Sequence, residues 1–213
     1  MWALVAPAPL VDLRLFNHRT YTFVNLATLA FGTAFSMMFF AFFFYMTEVW
    51  HYTLPQAGLA ITPGPLLVIP FAVMSGRLAA RLGHRPFLVG GAMIYACSGL
   101  WFMLVPGAQA AYLTHWLPGL VMSGIGVGLV LPSLSAAAVN RLPVDQYAVG
   151  SAVNQATRQI GSVMGVAITV LLLGHARLTH ADFMPLYACH VGLALLTALL
   201  CLPVNTRPVA ARS

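Results

Sequence analysis

Charged side chains are scarce in this chain: 7% of its 213 residues, against 60% hydrophobic ones and a mean hydropathy of +0.87. A soluble domain carries about 25% charged residues, so an ordinary water-exposed surface is excluded. Lysine is missing altogether; the 10 basic residues are all arginine, and only 4 residues are acidic. A net charge of +6 could suit nucleic acid, but the arginines are scattered between apolar runs rather than gathered on one element, and no nucleic-acid partner is expected. Cysteine is equally sparse. Cys97, Cys189 and Cys201 fall inside apolar runs without metal-ligand spacing, which reads as packing. The apolar runs also lack a nucleophile–base pair or a His/Asp/Glu cluster, which an intramembrane enzyme would need. No glycine-rich nucleotide-binding motif occurs, and no cofactor or metal is expected. The first ten residues hold no basic residue, and Pro7 and Pro9 interrupt them, so a cleaved signal peptide is not expected.

What the chain does have is apolar length. A hydrocarbon core of about 30 Å takes roughly 20 residues of helix. Six segments meet that demand: 22–46, 57–74, 87–105, 112–139, 148–173 and 185–202. Pro55, the arginine-containing stretch 77–85, Pro106-Gly107, 140–143 and 174–182 separate them. The expected organisation is a cytoplasmic lead-in over 1–21, a six-helix transmembrane bundle over 22–202 and a cytoplasmic tail over 203–213. Arginine placement orients it. Arg14, Arg19, Arg77, Arg81, Arg85, Arg141, Arg207 and Arg212 fall on one side and Arg177 on the other, which puts both termini in the cytoplasm of a cell-membrane protein. An even number of spans requires the same.

The densest signal is Gly76-Arg77-Leu78-Ala79-Ala80-Arg81-Leu82-Gly83-His84-Arg85-Pro86. It reads as a short turn between two spans, held outside the bilayer by the cost of burying arginine. Its glycine and arginine spacing resembles the signature loop of the major facilitator superfamily of secondary transporters. Other stretches extend the resemblance in order along the chain. Pro9-Leu10-Val11-Asp12-Leu13-Arg14-Leu15-Phe16 is similar to the linker before the ninth span of fourteen-spanning drug:proton antiporters. Gln56-Ala57-Gly58-Leu59 with Thr62-Pro63-Gly64-Pro65 resembles the start of their next span. Gly124-Ile125-Gly126-Val127-Gly128-Leu129, and the run from Gly150 through Asn154, Gln155 and Arg158 to Gly161, resemble two later ones.

The resemblance covers nearly all of 9–173 and implies an all-α membrane protein, six transmembrane helices forming one bundle (half) of a major facilitator fold. It implies the C-terminal half of a multidrug antiporter that exports small, mostly hydrophobic molecules, driven by protons and working by alternating access. A proton-coupling aspartate of the N-terminal half has no matching position here. The implied partners are the lipid bilayer, a small hydrophobic substrate, protons, and an N-terminal six-helix bundle or a second copy. A non-transporting half-bundle, whether remnant or scaffold, is the alternative. Two departures from the family pattern stand out: Ala80 where an aspartate is usual before the second basic residue, and Thr47 and Glu48 where paired glutamines are common.

Several residues are candidates for transport. Arg158 lies ten residues beyond Ala148, about 15 Å into its helix. Ser151, Asn154, Arg158, Ser162 and Gly165 recur at helical spacing as a small, polar face, with Gln155 beside it, and such a face belongs toward the bundle interior or water. Arg158 is then either a gate or anion anchor, or a snorkelling tie between helices. Glu48 is the acidic residue at a span mouth, open to proton exchange or simply a solvated loop residue beside Trp50 in an aromatic belt. His115 and His190, near span ends, read as hydrogen-bonded packing residues, with a proton relay as the alternative, and Asp145 as a loop residue paired with arginine. Pro63 and Pro65, with Pro70, interrupt the second span, a feature that borders substrate sites in transporters. In the first span, Asn25, Thr28, Gly32 and Ser36 form the polar stripe expected to face a cavity; some of the phenylalanines could line a cavity for aromatic substrates, with most of them toward lipid. The glycines of 124–128, with Gly161 and Gly165, are expected to allow close helix contact.

Overall fold

A computed structural model of the chain describes residue 15 and residues 18–140, 142–174 and 178–206. Arg14, Arg141, Arg177, Arg207, Arg212 and most of the stretch 9–16 lie outside them. Among the described residues there are helices and no strands. The first span is α1 (Arg19–Phe44), which widens into a π turn at Tyr45–Val49. The second is made of α2 (Leu54–Ile61) and α3 (Pro63–Leu82), and the third of α4 (Arg85–Leu104). A π turn at Tyr112–Trp116 leads into α5 (Leu117–Val139), and short 3-10 turns lead into α6 (Tyr147–Leu173) and α7 (Met184–Cys201). The 6 spans are each long and apolar enough to cross a membrane.

The second span departs from expectation at its end. It was expected to stop at Met74, with Gly76 to Pro86 as a turn, yet α3 continues to Leu82. Leu, Ala and Arg are all good helix formers, and arginine in a last turn complements the helix dipole. Gly76, Arg77 and Arg81 are therefore helical, with the two arginines four residues apart on one exposed face. The turn itself is only Gly83 and His84. Gly83 ends α3 at φ 78°, ψ 169°, and Arg85 opens α4 with Pro86 behind it. That backbone region is essentially reserved for glycine. Gly83→Ala is expected to cost about 1–3 kcal/mol, read as a lowered thermal midpoint in detergent. Gly76→Ala, where an added Cβ meets nothing within 4 Å, should not lower it.

The first and fourth spans are the most enclosed and the second and fifth the least. α1 packs against α6, α7 and α5; α5 packs against α3 and α4; α4 packs against α7. Glycine sets how closely these helices approach. A Cβ on Gly124 would lie 2.6 Å from the carbonyl oxygen of Gly64, and one on Gly128 would lie 2.8 Å from that of Val68. Gly126, on the other side of α5, would come 2.9 Å from the carbonyl oxygen of Gly91. The alternate glycines thus seat α5 on α3 and α4 at once. At one end, Tyr45, Trp50, Phe102, Trp116 and Phe183 form a buried aromatic cluster, in which the Trp50 indole donates to the Gly107 carbonyl at 2.9 Å. Trp50 is therefore a core residue, not part of an exposed belt.

Candidate substrate cavity and helix clasp

An apolar cavity of about 230 Å³ opens between the first four spans. α1 contributes Phe35, Met38, Phe39 and Phe42, and α5 contributes Leu120, Ser123, Gly124, Val127 and Leu131. Ile61, Gly64, Pro65 and Val68 supply the wall from the second span, and Tyr95 supplies it from α4. The walls carry few polar groups, which suits a ligand recognised by shape and apolar area. Proline makes the joint in the second span. Pro63 has no N–H to continue the ladder, so the span breaks at Thr62, whose hydroxyl donates to the Gly58 carbonyl at 2.8 Å. Residues from both sides of the joint, Ile61 and Pro65, reach the cavity; Pro63 itself is the joint and not the wall. Exposure of Pro65 and Phe39 places them at the mouth. Below the joint, Gln56 caps α2 by accepting the Thr53 N–H at 2.9 Å.

The expected polar stripe of α1 does not face this cavity. Asn25 and Thr28 are buried against α6, while the adjoining, aromatic side of α1 lines the space. Asn154 closes the contact. Its Nδ2 donates to Asn25 Oδ1 at 3.1 Å and to Thr28 Oγ1 at 2.9 Å. Asn25 and Thr28 in turn donate to the carbonyls of Tyr21 and Val24. This clasp is continued by glycine: a Cβ on Gly161 or Gly165 would fall 2.5 Å or 2.4 Å from the carbonyl oxygens of Leu29 and Thr33. One polar network and two glycines hold α1 and α6 together.

The expected single polar face of α6 is accordingly split. Asn154, Gly161 and Gly165 are buried on α1, whereas Ser151 and Gln155 are exposed on the bundle surface. Arg158 lies between, half-buried, with its Nη2 donating to Gln155 Oε1 and its backbone against Gly32. The split runs across the width of the face: at 3.6 residues per turn these positions spread over roughly 120° of the helix, so one edge meets α1 and the other the surface. Glu48 is exposed at the end of the first span, and Asp145 is exposed before α6. Arg77, Arg81 and Arg85 are exposed at the opposite end of the second and third spans. There the His84 N–H donates to Thr206 Oγ1 at 2.7 Å, joining the Gly83-His84 turn to the segment after α7. Burial pushes the His84 imidazole below its ordinary value.

Sequence reading missed Tyr95 and Ser123 of the cavity wall; it read His190 as a hydrogen-bonded packing residue, which it is, but placed it too near the span's end. His190 is fully buried in the middle of the last span, not near its end. Its apolar flanks, from Leu186 through Val191 to Leu195, give no local sign of what it touches.

Six apolar spans, sealed by glycine and enclosing an apolar cavity, define a multi-pass membrane bundle. The model of the Major Facilitator Superfamily matches residues 4–166, and the chain belongs to that family. It is 31% identical over 168 residues to the Multidrug resistance protein B homolog of Mycobacterium tuberculosis, covering 78% of this chain and 31% of that protein. It is 27% identical over 192 residues to the Multidrug export protein EmrB of Escherichia coli, covering 85% of this chain and 36% of the relative. A Probable actinorhodin transporter of Streptomyces coelicolor is 27% identical over 163 residues, covering 76% of this chain and 28% of the relative. The chain thus matches about a third of the length of these curated relatives.

Proposed function

We propose that this bundle is the C-terminal half of a proton-driven exporter of small, mostly hydrophobic molecules, with both termini in the cytoplasm. The observation that carries the reading is the apolar cavity walled by Phe35, Phe39, Phe42, Tyr95 and Val127. A greasy solute would enter it on burial of apolar surface, worth about 25 cal/mol per Å². The names of the multidrug relatives support the same substrate class. Ser151, Gln155 and Arg158 support the partner. Exposed polar groups within a span have no solvation in lipid, so this edge of α6 belongs against water or another bundle. The occupant is an N-terminal six-helix bundle or a second copy, and rocking between the two would move the cavity from one side to the other. In this reading Arg158 and Gln155 border the path, Asn154 and Asn25 hold it in shape, and Arg77, Arg81 and Arg85 meet the cytoplasmic surface.

Ethidium efflux, read as uptake of the dye into inverted vesicles because their outer face is the cytoplasmic one, tests this, first with the chain alone and then with an N-terminal bundle from one of the relatives. Acid-loaded vesicles are expected to move dye only when the second bundle is present. Efflux by the chain alone would replace the partner bundle by a second copy. Silence in both cases, from folded protein, would favour a half-bundle that moves nothing.

A further inference from the structure

His190 sits at the middle of the span His180–Cys201, about 15 Å from either end at 1.5 Å per residue, with none of its surface exposed. Both of its ring nitrogens face backbone carbonyl oxygens of other spans. Nδ1 lies 3.3 Å from the oxygen of Ala34 on α1, and Nε2 lies 3.1 Å from that of Tyr95 on α4. A carbonyl oxygen only accepts. A neutral imidazole has one N–H and one lone pair, so it satisfies one of these contacts and opposes the other; the imidazolium, with two N–H groups, satisfies both. Against that stands the cost of a charge in the middle of an apolar bundle. The two tendencies make a group that can gain and lose a proton.

The surroundings are close-fitting and hold little charge. Gly99 of α4 leaves the space the ring fills, for a Cβ there would lie 2.4 Å from the imidazole Cδ2. The titratable neighbours are the phenol of Tyr95, whose ring meets the imidazole edge-on at 4.5 Å, and Tyr187 and Cys189 on α7 itself. From α6, the charged group that reaches α1 is Arg158, packed on Gly32, two residues from Ala34 and so on another side of that helix. Tyr95 also walls the cavity. One aromatic ring therefore separates His190 from the space assigned to substrate.

We propose that His190 is a proton-binding site of this bundle, tying the first, third and sixth spans together when its second nitrogen is protonated and sensing the cavity through Tyr95. The proton adds to the ring nitrogen lone pair from water reaching the cavity and returns the same way, leaving one hydrogen bond in place of two. The coupling to the cavity rests on the function proposed above; the proton binding does not.

The test uses the full chain labelled with 15N-histidine in lipid nanodiscs, with ring nitrogen shifts followed against pH. His190→Gln assigns the signal. A variant with the other six histidines changed to glutamine leaves His190 as the only ring, should His190→Gln not fold. The expected result is passage from one neutral tautomer to the doubly protonated ring as the pH is lowered, within the range where the chain stays folded. Naphthalene, as a small apolar occupant of the cavity, is expected to shift that proton affinity by about fivefold. A ring that stays neutral at every pH overturns the site. Titration indifferent to naphthalene, in protein that demonstrably binds it, overturns the link to the cavity. In the two-bundle efflux assay, a His190→Gln variant that keeps full dependence on the proton gradient would overturn the site's part in coupling while leaving the export reading intact. Titration with no efflux from any variant would leave the site standing and remove the export reading.

Discussion

Gly165→Leu is expected to unfold the bundle or sharply lower its thermal midpoint. The added Cβ would lie 2.4 Å from the carbonyl oxygen of Thr33, inside the distance that carbon and oxygen tolerate, and the obstructing atom is backbone. A side chain could rotate away, but a helix carbonyl can move only with its helix. α1 and α6 would have to separate, and separation also lengthens the bonds from Asn154 to Asn25 and Thr28 one to three turns away. Those bonds are between polar groups in an apolar setting, where each is worth roughly 0.6 kcal/mol on average. Overpacking alone costs about 1–3 kcal/mol, and the rest of the leucine has nowhere to go, so a loss above about 3 kcal/mol is expected. That is a large part of the roughly 5–15 kcal/mol that holds a typical domain. The comparison is Gly90→Leu, where an added Cβ meets nothing within 4 Å. Monodispersity and melting in detergent would separate the two. Equal melting of both variants with the parent would mean that α1 and α6 do not meet at Gly165.

Much of this architecture was legible because apolar length is a one-dimensional property. The spans, their order and the glycines that seam them follow from counting residues against the thickness of a bilayer. Ends were less legible. The second span overran its expected stop by two turns because Leu78, Ala79, Ala80 and Leu82 favour helix whether or not lipid surrounds them. Facing was least legible. Asn25 and Thr28 looked like a cavity stripe because polar residues in a span must avoid lipid, but a neighbouring helix answers that demand as well as water does. Here Asn154 answers it. The phenylalanines of α1 point to the same lesson from the other side. Phe35, Phe39 and Phe42 can line a cavity without penalty, so hydrophobicity does not separate a lipid face from an apolar binding wall. Only the position of α5 and of the broken second span makes that distinction, and position is a property of the whole bundle.

Ser123→Phe is expected to remove apolar ligand binding while leaving the bundle folded. Ser123 is a polar side chain on a wall otherwise built from Phe, Met, Leu, Ile, Val, Pro, Tyr and Gly, and it faces the about 230 Å³ space. A phenyl ring grown from this position enters the cavity instead of a packed seam; the seam with α3 belongs to its neighbour Gly124 and to Gly128. Filling an apolar void with an apolar group should offset the loss of the hydroxyl, which makes stability nearly neutral, within about 1.5 kcal/mol. The ligand, by contrast, loses its place. Naphthalene binding to the chain in nanodiscs should weaken by at least about tenfold, equivalent to ~1.4 kcal/mol. Ser135→Phe, on an exposed part of the same helix, should leave it unchanged. With an N-terminal bundle supplied, the same pair of variants should differ in ethidium efflux in the same order. If Ser123→Phe folds, binds and exports as the parent does, the space between the first four spans is not where substrate sits. The search would then move to the exposed edge of α6 at Ser151, Gln155 and Arg158, because those residues too require something other than lipid beside them.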